Sequence, residues 1–219
     1  YRGRIELKMV EAQLSRAENF YIAKAGVAEA LAVLDNDNNT YDALNEKWSN
    51  YTSNMYRINP FREISVGRGR FTVSYIYKRD MFTGYEQVFY GMQDEERKLN
   101  VNNATQDMLE SLPGVTPQIA VSILAWRGDP ALTEDILMKE DTYYNKLPKP
   151  YKRKGSAIEC IEELLLVRGI TQKLLFGEDT NKDGVIDINE NGIAQYLTVY
   201  GNGLVNINTA GVTDLRAVG

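Results

Sequence analysis

Ile5-Glu-Leu-Lys-Met9-Val-Glu-Ala12-Gln-Leu-Ser-Arg-Ala17-Glu-Asn-Phe20-Tyr-Ile-Ala23-Lys-Ala25-Gly26-Val27-Ala28-Glu-Ala30-Leu31-Ala-Val-Leu34 contains no proline, and only Gly26 interrupts it. Its apolar residues Ile5, Met9, Ala12, Ala17, Phe20, Ala23, Val27, Ala30, Leu31 and Leu34 recur at spacings of three, four and five. That period predicts one long amphipathic helix. Ala23, Ala25, Gly26, Ala28, Ala30 and Ala32 leave a side of small residues on which a sheet or a second helix can approach closely. The polar cluster Asp35-Asn-Asp-Asn-Asn39 then ends the helix.

Downstream, the pattern changes period. Trp48 to Arg62 is rich in Tyr and Asn and reads as loop with room for one short strand. Phe71, Val73, Tyr75 and Tyr77 alternate with Arg70, Thr72, Ser74 and Ile76, and Tyr85 to Met92 behaves alike. With Asp80 to Gly84 as the turn, these stretches predict an antiparallel hairpin whose Tyr-rich faces are half-buried sheet surface. Beyond Gly91 the chain becomes helical: Leu109, Leu112, Val115, Ile119, Ile123 and Leu124 mark two short helices around Pro113-Gly114. Gly128 to Gly155 reads as a long polar connection with Lys146, Lys149, Lys152, Arg153 and Lys154 as a solvated basic cluster. Ser156 and Glu159 form a capping box for a helix over 158–167.

The 219 residues, 43% hydrophobic and 25% charged, suit one large or two small globular domains. A net charge of -5 argues against a general binder of nucleic acid or anionic membrane. One cysteine, Cys160, excludes an internal disulfide and is expected as a small buried hydrophobe. With no histidine, the commonest general base and the commonest zinc ligand are missing. Asp94, Glu95 and Glu96 have no nucleophile beside them, so the chain reads as no enzyme. Neither a signal peptide nor a bilayer-spanning run is visible. The chain starts inside a helical pattern at Tyr1 and stops inside a motif at Val218-Gly219, so a fragment of a longer protein is expected.

Asp179-Thr-Asn181-Lys-Asp183-Gly184-Val185-Ile-Asp187-Ile-Asn189-Glu190 carries an oxygen donor at each position used by an EF-hand-type calcium loop. Asp179, Asn181 and Asp183 take loop positions 1, 3 and 5, and Gly184 allows the sharp turn at 6. The Val185 carbonyl serves position 7, Asp187 acts at 9 through a water, and Glu190 at 12 is the bidentate ligand. Four carboxylates face one Lys182, so loop order and a bound Ca2+ are coupled. Thr171 to Phe176 predicts a short entering helix that Gly177 stops. Downstream, Asn191-Gly192 follows at once and Leu197 to Tyr200 reads as a strand. A calcium switch needs a helix on both sides, so the ion is expected as a structural brace.

Two internal echoes stand out. Leu112-Pro-Gly114-Val-Thr116-Pro117 matches Leu166-Val-Arg-Gly169-Ile-Thr171-Gln172: in each, Gly closes one helix and Thr caps the next, with Pro117 at a first helical position. Asn100-Val-Asn102-Asn103-Ala104 matches Asn206-Ile-Asn208-Thr209-Ala210, each ending a strand and opening a helix capped by Asn103 or Thr209. These hairpins look like helix-hairpin-helix modules, whose second turn glycine exposes N–H groups to a phosphate. Here that glycine is Thr116 or Thr171, and Leu99 to Arg127 is almost free of basic side chains. The modules therefore read as packing units without a phosphate site.

In order along the chain, these pieces resemble the type II secretion minor pseudopilin K family, also called general secretion pathway protein K. The matching residues are Ala23-Lys-Ala25-Gly26-Val-Ala-Glu-Ala30, Asp94-Glu95-Glu96-Arg-Lys98-Leu99-Asn100-Val-Asn102, Glu162-Glu163-Leu164-Leu-Leu-Val167-Arg-Gly169-Ile-Thr171, Leu197-Thr-Val-Tyr200-Gly201 and Val205-Asn206-Ile-Asn208-Thr209-Ala210. The resemblance implies an α+β, pilin-like fold: a long N-terminal α-helix packed on a small antiparallel β-sheet, with a large inserted α-helical domain. On that reading residues 1–96 form the pilin-like body, 97–196 the inserted domain with the calcium loop, and 197–219 the return to the body. It also implies calcium in the inserted domain, which the acidic loop supports independently. Members are anchored in the inner membrane by an N-terminal helix absent from this sequence and project into the periplasm. With minor pseudopilins I and J they form the pseudopilus tip that initiates assembly, and secreted cargo is a further contact the resemblance implies. The competing reading is a helix-hairpin-helix DNA-binding protein of the competence type; the acidic net charge disfavours it.

Overall fold

In the computed structural model, which describes residues 2–38, 40–50, 59–79, 86–180, 182 and 190–218, the first element is α1 (Arg2–Asp35), a helix of 34 residues. It ends where the Asn/Asp cluster takes over: Asn36 Nδ2 donates to the Ala32 carbonyl at 2.7 Å and the Asp37 N–H to Leu34 O at 3.0 Å. The expected amphipathy holds only for its last third. Ile22, Ala25, Gly26, Glu29, Ala30 and Val33 are wholly or partly buried, a spacing that puts them on one face. A Cβ on Gly26 would lie 3.2 Å from the Phe71 ring, so the missing side chain lets helix and strand approach. Residues 3–21 are exposed throughout, and Ile5, Leu7, Met9, Leu14 and Phe20 stay 57–62% exposed.

The strands under α1 are short. β1 (Ile64–Val66) pairs antiparallel with β2 (Gly69–Phe71), Ile64 facing Phe71 and Val66 facing Gly69. β3 (Ser74–Arg79) pairs antiparallel with β4 (Glu86–Tyr90), with the register slipping between Ile76 and Lys78. The hairpin expected from the alternation thus forms, although its turn, residues 80–84, lies outside the described residues. The expected single strand from Arg70 to Tyr77 is instead two. At Val73 the chain leaves one pairing for another: its N–H donates to Phe61 O at 2.8 Å and its carbonyl accepts from Gly91 N at 3.0 Å. Alternation is the same on both sides of such a break, so the sequence does not announce it. Tyr75 and Phe89 meet edge to face at 5.9 Å and are half-buried, while Ile76 and Val88 on the other face are exposed, the half-buried sheet expected of this pattern. Trp48, Phe61 and Phe71 are buried within this unit, Tyr1–Asp94. A long helix on small antiparallel strands gives it the pilin-like, α+β character expected.

The second unit, Glu95–Gly219, has its own core. β5 (Leu99–Asn100) pairs in parallel with β6 (Leu197–Thr198), so the segment from Leu197 packs within this unit. Between them lie α2 (Gln106–Glu110), α3 (Pro117–Arg127), α4 (Glu134–Asn145) and α5 (Gln172–Phe176), and α6 (Val212–Val218) follows. Leu109, Ile123, Leu164, Leu175, Ile193 and Leu197 are almost completely buried.

Both echoes are structural repeats. Asn100 Oδ1 accepts from Asn102 N at 2.9 Å and Asn100 O from the N–H groups of Asn103 and Ala104. Asn206 repeats each bond with Asn208, Thr209 and Ala210. The caps, however, fall elsewhere than expected. Thr105 rather than Asn103 caps α2, and Asp214 rather than Thr209 accepts the Gly211 N–H at the head of α6. The Asn motifs are closed turns in their own right, so each helix begins beyond them. Thr116 and Thr171 cap α3 and α5 as expected, with Pro117 in the first turn of α3.

Three expectations in this unit are corrected. The polar connection from Gly128 to Gly155 contains α4, which buries only Glu140 and Tyr144 and so lacks an apolar stripe to betray it. Residues 158–167 make no α-helix: Ile161–Leu166 is a 3-10 helix, and the Glu159 N–H goes to the Glu163 carboxylate at 3.0 Å. Cys160 is exposed, not buried, because it precedes that turn instead of lying on the inner face of a helix.

Candidate functional site

The acidic loop is held at both ends by the fold. α5 begins at Thr171, whose hydroxyl accepts from Leu174 N at 3.1 Å, and stops at Gly177 (φ 87°, ψ -178°), a conformation open almost only to glycine. There Gly177 bridges Asn191 in antiparallel fashion and the Glu178 N–H donates to Glu190 O at 3.1 Å. A Cβ on Gly177 would sit 1.9 Å from that same Glu190 carbonyl, and one on Gly192 would sit 2.2 Å from Leu175 O. Two strands this close require both glycines. The chain leaves the loop through a 3-10 helix, Ile193–Tyr196, so an entering α-helix has no matching α-helix on exit.

Of the six ligand positions read from sequence, Asp179 and Glu190 are described; Asn181, Asp183, Val185 and Asp187 lie outside the described residues. The pinch draws the loop's first and last positions together. Glu190 Oε1 accepts from the Thr180 N–H at 2.8 Å and from the Thr180 hydroxyl, and Asp179 Oδ1 accepts from Lys182 N at 2.6 Å. Lys182 itself has φ 62°, in the left-handed region. Carboxylates at the first and last positions of this acidic stretch suit a hard, oxygen-seeking cation. At the rim, Lys173 pairs with Glu178 at 2.7 Å. That hydrogen bond, with the negative charge of Glu178 and Glu190, raises the Lys173 pKa above the ordinary lysine value.

A second acidic group escaped the sequence reading. Asp37, Asp42 and Glu46 place carboxylate oxygens within 4.8 Å of one another in the first unit. Of the three, only Asp37 lies in the Asp/Asn cluster that ends α1, and turn formation already explains that cluster. Glu46 is buried and its Oε2 accepts from Ala43 N at 2.7 Å and Trp48 Nε1 at 3.1 Å.

The helical hairpins bear on the nucleic-acid reading. A Cβ on Gly114 would lie 3.0 Å from Leu174 of the second hairpin, and one on Gly169 would lie 2.9 Å from Ile119 of the first. Each turn is used to pack against the other hairpin. Arg127, the one basic residue of that stretch beyond Lys98, is spent on Val101 O at 2.6 Å and Asp129 at 2.5 Å. Its hydrogen bond is the main cause that lowers the Asp129 pKa. Glu95, among the carboxylates weighed for catalysis, pairs with Lys98 at 2.7 Å.

No protein-family model matches the sequence, and no curated protein matches it. Among solved structures, a chain in the crystal structure of the GspK-GspI-GspJ complex from the enterotoxigenic Escherichia coli Type 2 Secretion System superposes with a TM-score of 0.60 at 15% identity, over 95% of this chain and 68% of that one. At that identity the likeness is one of fold: this chain folds like a protein of the Type 2 Secretion System's GspK-GspI-GspJ complex.

Proposed function

We propose that this chain is a non-enzymatic minor pseudopilin of a type II protein secretion system. It joins two other minor pseudopilins, of the I and J kinds, in the pseudopilus tip that initiates assembly, and acts in the periplasm tethered to the inner membrane. The observation that carries this reading is the fold likeness over nearly the whole chain to a component of a pseudopilin complex. The exposed apolar residues of α1 from Ile5 to Phe20 support it, since large apolar side chains left bare along a helix are suited to packing against partner helices. Mixing the chain with the I and J pseudopilins of its own system should give a 1:1:1 species by light scattering after size exclusion. Separate elution of all three at micromolar concentration would contradict the assignment.

Calcium belongs to this reading as a structural ion held by Asp179, Asn181, Asp183, the Val185 carbonyl, Asp187 and Glu190. What supports it is the donor set in register and the pinch that brings Asp179 and Glu190 to one end. A site filled at a hundred times its dissociation constant adds about 2.7 kcal/mol to stability. The melting temperature should therefore fall when calcium is chelated, and Asp183→Ala should remove the difference. Superimposable melts of the parent chain with calcium and with chelator would end the calcium reading while leaving the assembly reading standing.

A further inference from the structure

The run Lys146-Leu-Pro-Lys149-Pro-Tyr151-Lys152-Arg153-Lys154 has five cationic side chains and no carboxylate, in a chain whose net charge is -5. The structure divides these cations into two kinds. Arg153 and Lys154 turn inward: Arg153 meets Asp141 at 2.8 Å and the Ala125 carbonyl at 3.2 Å, and Lys154 meets Glu163 at 3.0 Å and Glu159 at 3.1 Å. Leu147 and Tyr151 pack against the hydrophobic core, with the Tyr151 hydroxyl donating to Leu166 O at 2.8 Å and its ring 5.3 Å from Tyr144. Lys146, Lys149 and Lys152 remain, three residues apart, all exposed, with no ion pair among the described residues. Pro148 and Pro150 fix the backbone between them.

From this arrangement we infer that Lys146, Lys149 and Lys152 form a docking strip for an acidic, extended segment of another protein. The inward residues hold the strip rigid, so binding orders little of this chain. Lysine ammonium groups are point charges that pair with single carboxylates without the bidentate geometry arginine offers. The chemistry also separates this partner from other polyanions. The strip's one aromatic ring, Tyr151, is committed to the core, so no stacking platform faces a nucleic-acid base. A long phosphate backbone would also meet the acidic remainder of the chain. Its one large aliphatic residue, Leu147, packs inward, so nothing anchors the strip in a lipid surface. The strip shares no residue with the acidic loop or with α1, and its success or failure is independent of the function proposed above.

Fluorescence anisotropy with a labelled deca-glutamate peptide tests it on the full chain. At low ionic strength the parent chain should bind the peptide, and Lys146→Gln/Lys149→Gln/Lys152→Gln should weaken binding about tenfold or more, since each exposed pair contributes modestly and three are removed. Raising salt should weaken the parent's binding likewise. Lys146 stands at the C-terminal end of α4, where its charge favours the helix. A second variant, Lys149→Glu/Lys152→Glu, leaves that residue in place and should abolish binding with an unchanged melting curve. No binding by the parent, or equal binding by both variants, overturns the inference. A labelled single-stranded oligonucleotide or phosphatidylglycerol vesicles bound as tightly as the peptide, and lost in the same variants, would overturn it in favour of those partners.

Discussion

Glu163 gathers three donors in the second unit: Trp126 Nε1 at 2.7 Å, Lys154 Nζ at 3.0 Å and the Glu159 N–H at 3.0 Å. Burial alone would raise its pKa, but these hydrogen bonds outweigh it and hold the carboxyl below the usual range. A carboxyl depressed in the folded state adds stability that is present above its unfolded pKa and lost as pH falls through the folded one. Glu163→Gln should therefore cost about 1–3 kcal/mol at neutral pH, and its melting temperature should fall less steeply than the parent's as pH drops below the ordinary carboxylate range. Tyr144 is a second such centre. Burial first, with Glu140 nearby, pushes its phenol up to about 12, and its oxygen accepts the Arg168 N–H at 3.0 Å. Tyr144→Phe should cost about 1–3 kcal/mol, the penalty for leaving the partly buried Arg168 N–H without its acceptor, read as a lower midpoint in urea. Neither role could be seen in the sequence, where Glu163 was one letter in an apolar run and Tyr144 one tyrosine among many.

Among elements, the pinch between α5 and the 3-10 helix Ile193–Tyr196 is the most exacting. Gly177→Ala would force a Cβ toward the Glu190 carbonyl in a backbone region that side chains avoid. It should lower stability by about 1–3 kcal/mol and weaken the calcium binding proposed for the loop, with the pair of effects read by calorimetry in calcium and in chelator. Two helix starts were legible because Thr116 and Thr171 follow local rules that tertiary context leaves alone, whereas the cap expected at Asn103 falls at Thr105. α4 was not legible: it buries a glutamate and a tyrosine instead of an apolar stripe, and Glu140 Oε1 accepts from Gln118 and Arg168, each at 3.1 Å, while its buried Oε2 has no hydrogen-bond partner among the described residues. The helix expected over 158–167 failed for the opposite reason, since its apolar residues are required by a 3-10 turn that presents Leu164 inward and leaves Leu165 and Leu166 exposed.

At the scale of the molecule, each of the two units, Tyr1–Asp94 and Glu95–Gly219, has its own buried residues. All of the large apolar cluster lies between Leu99 and Val218. Residues 95–218 produced alone should accordingly melt cooperatively, and a broad, non-cooperative transition by circular dichroism would show that the core needs the preceding unit. The sequence by itself determined the long first helix, the polar cluster that ends it, the Thr caps of α3 and α5 and the repeated Asn and Gly-Thr motifs, because each is fixed by contacts within a few residues. Only the tertiary structure decided which third of α1 is covered, where the strand at Val73 breaks, that Leu197 returns to Leu99, and that the two hairpin turns pack on each other's helices. Those outcomes depend on partners distant in the chain, about which local periodicity says nothing. The tertiary structure likewise decided which of the five cations in 146–154 are paired and which stand free, since a carboxylate's distance in space is not written in its distance along the chain.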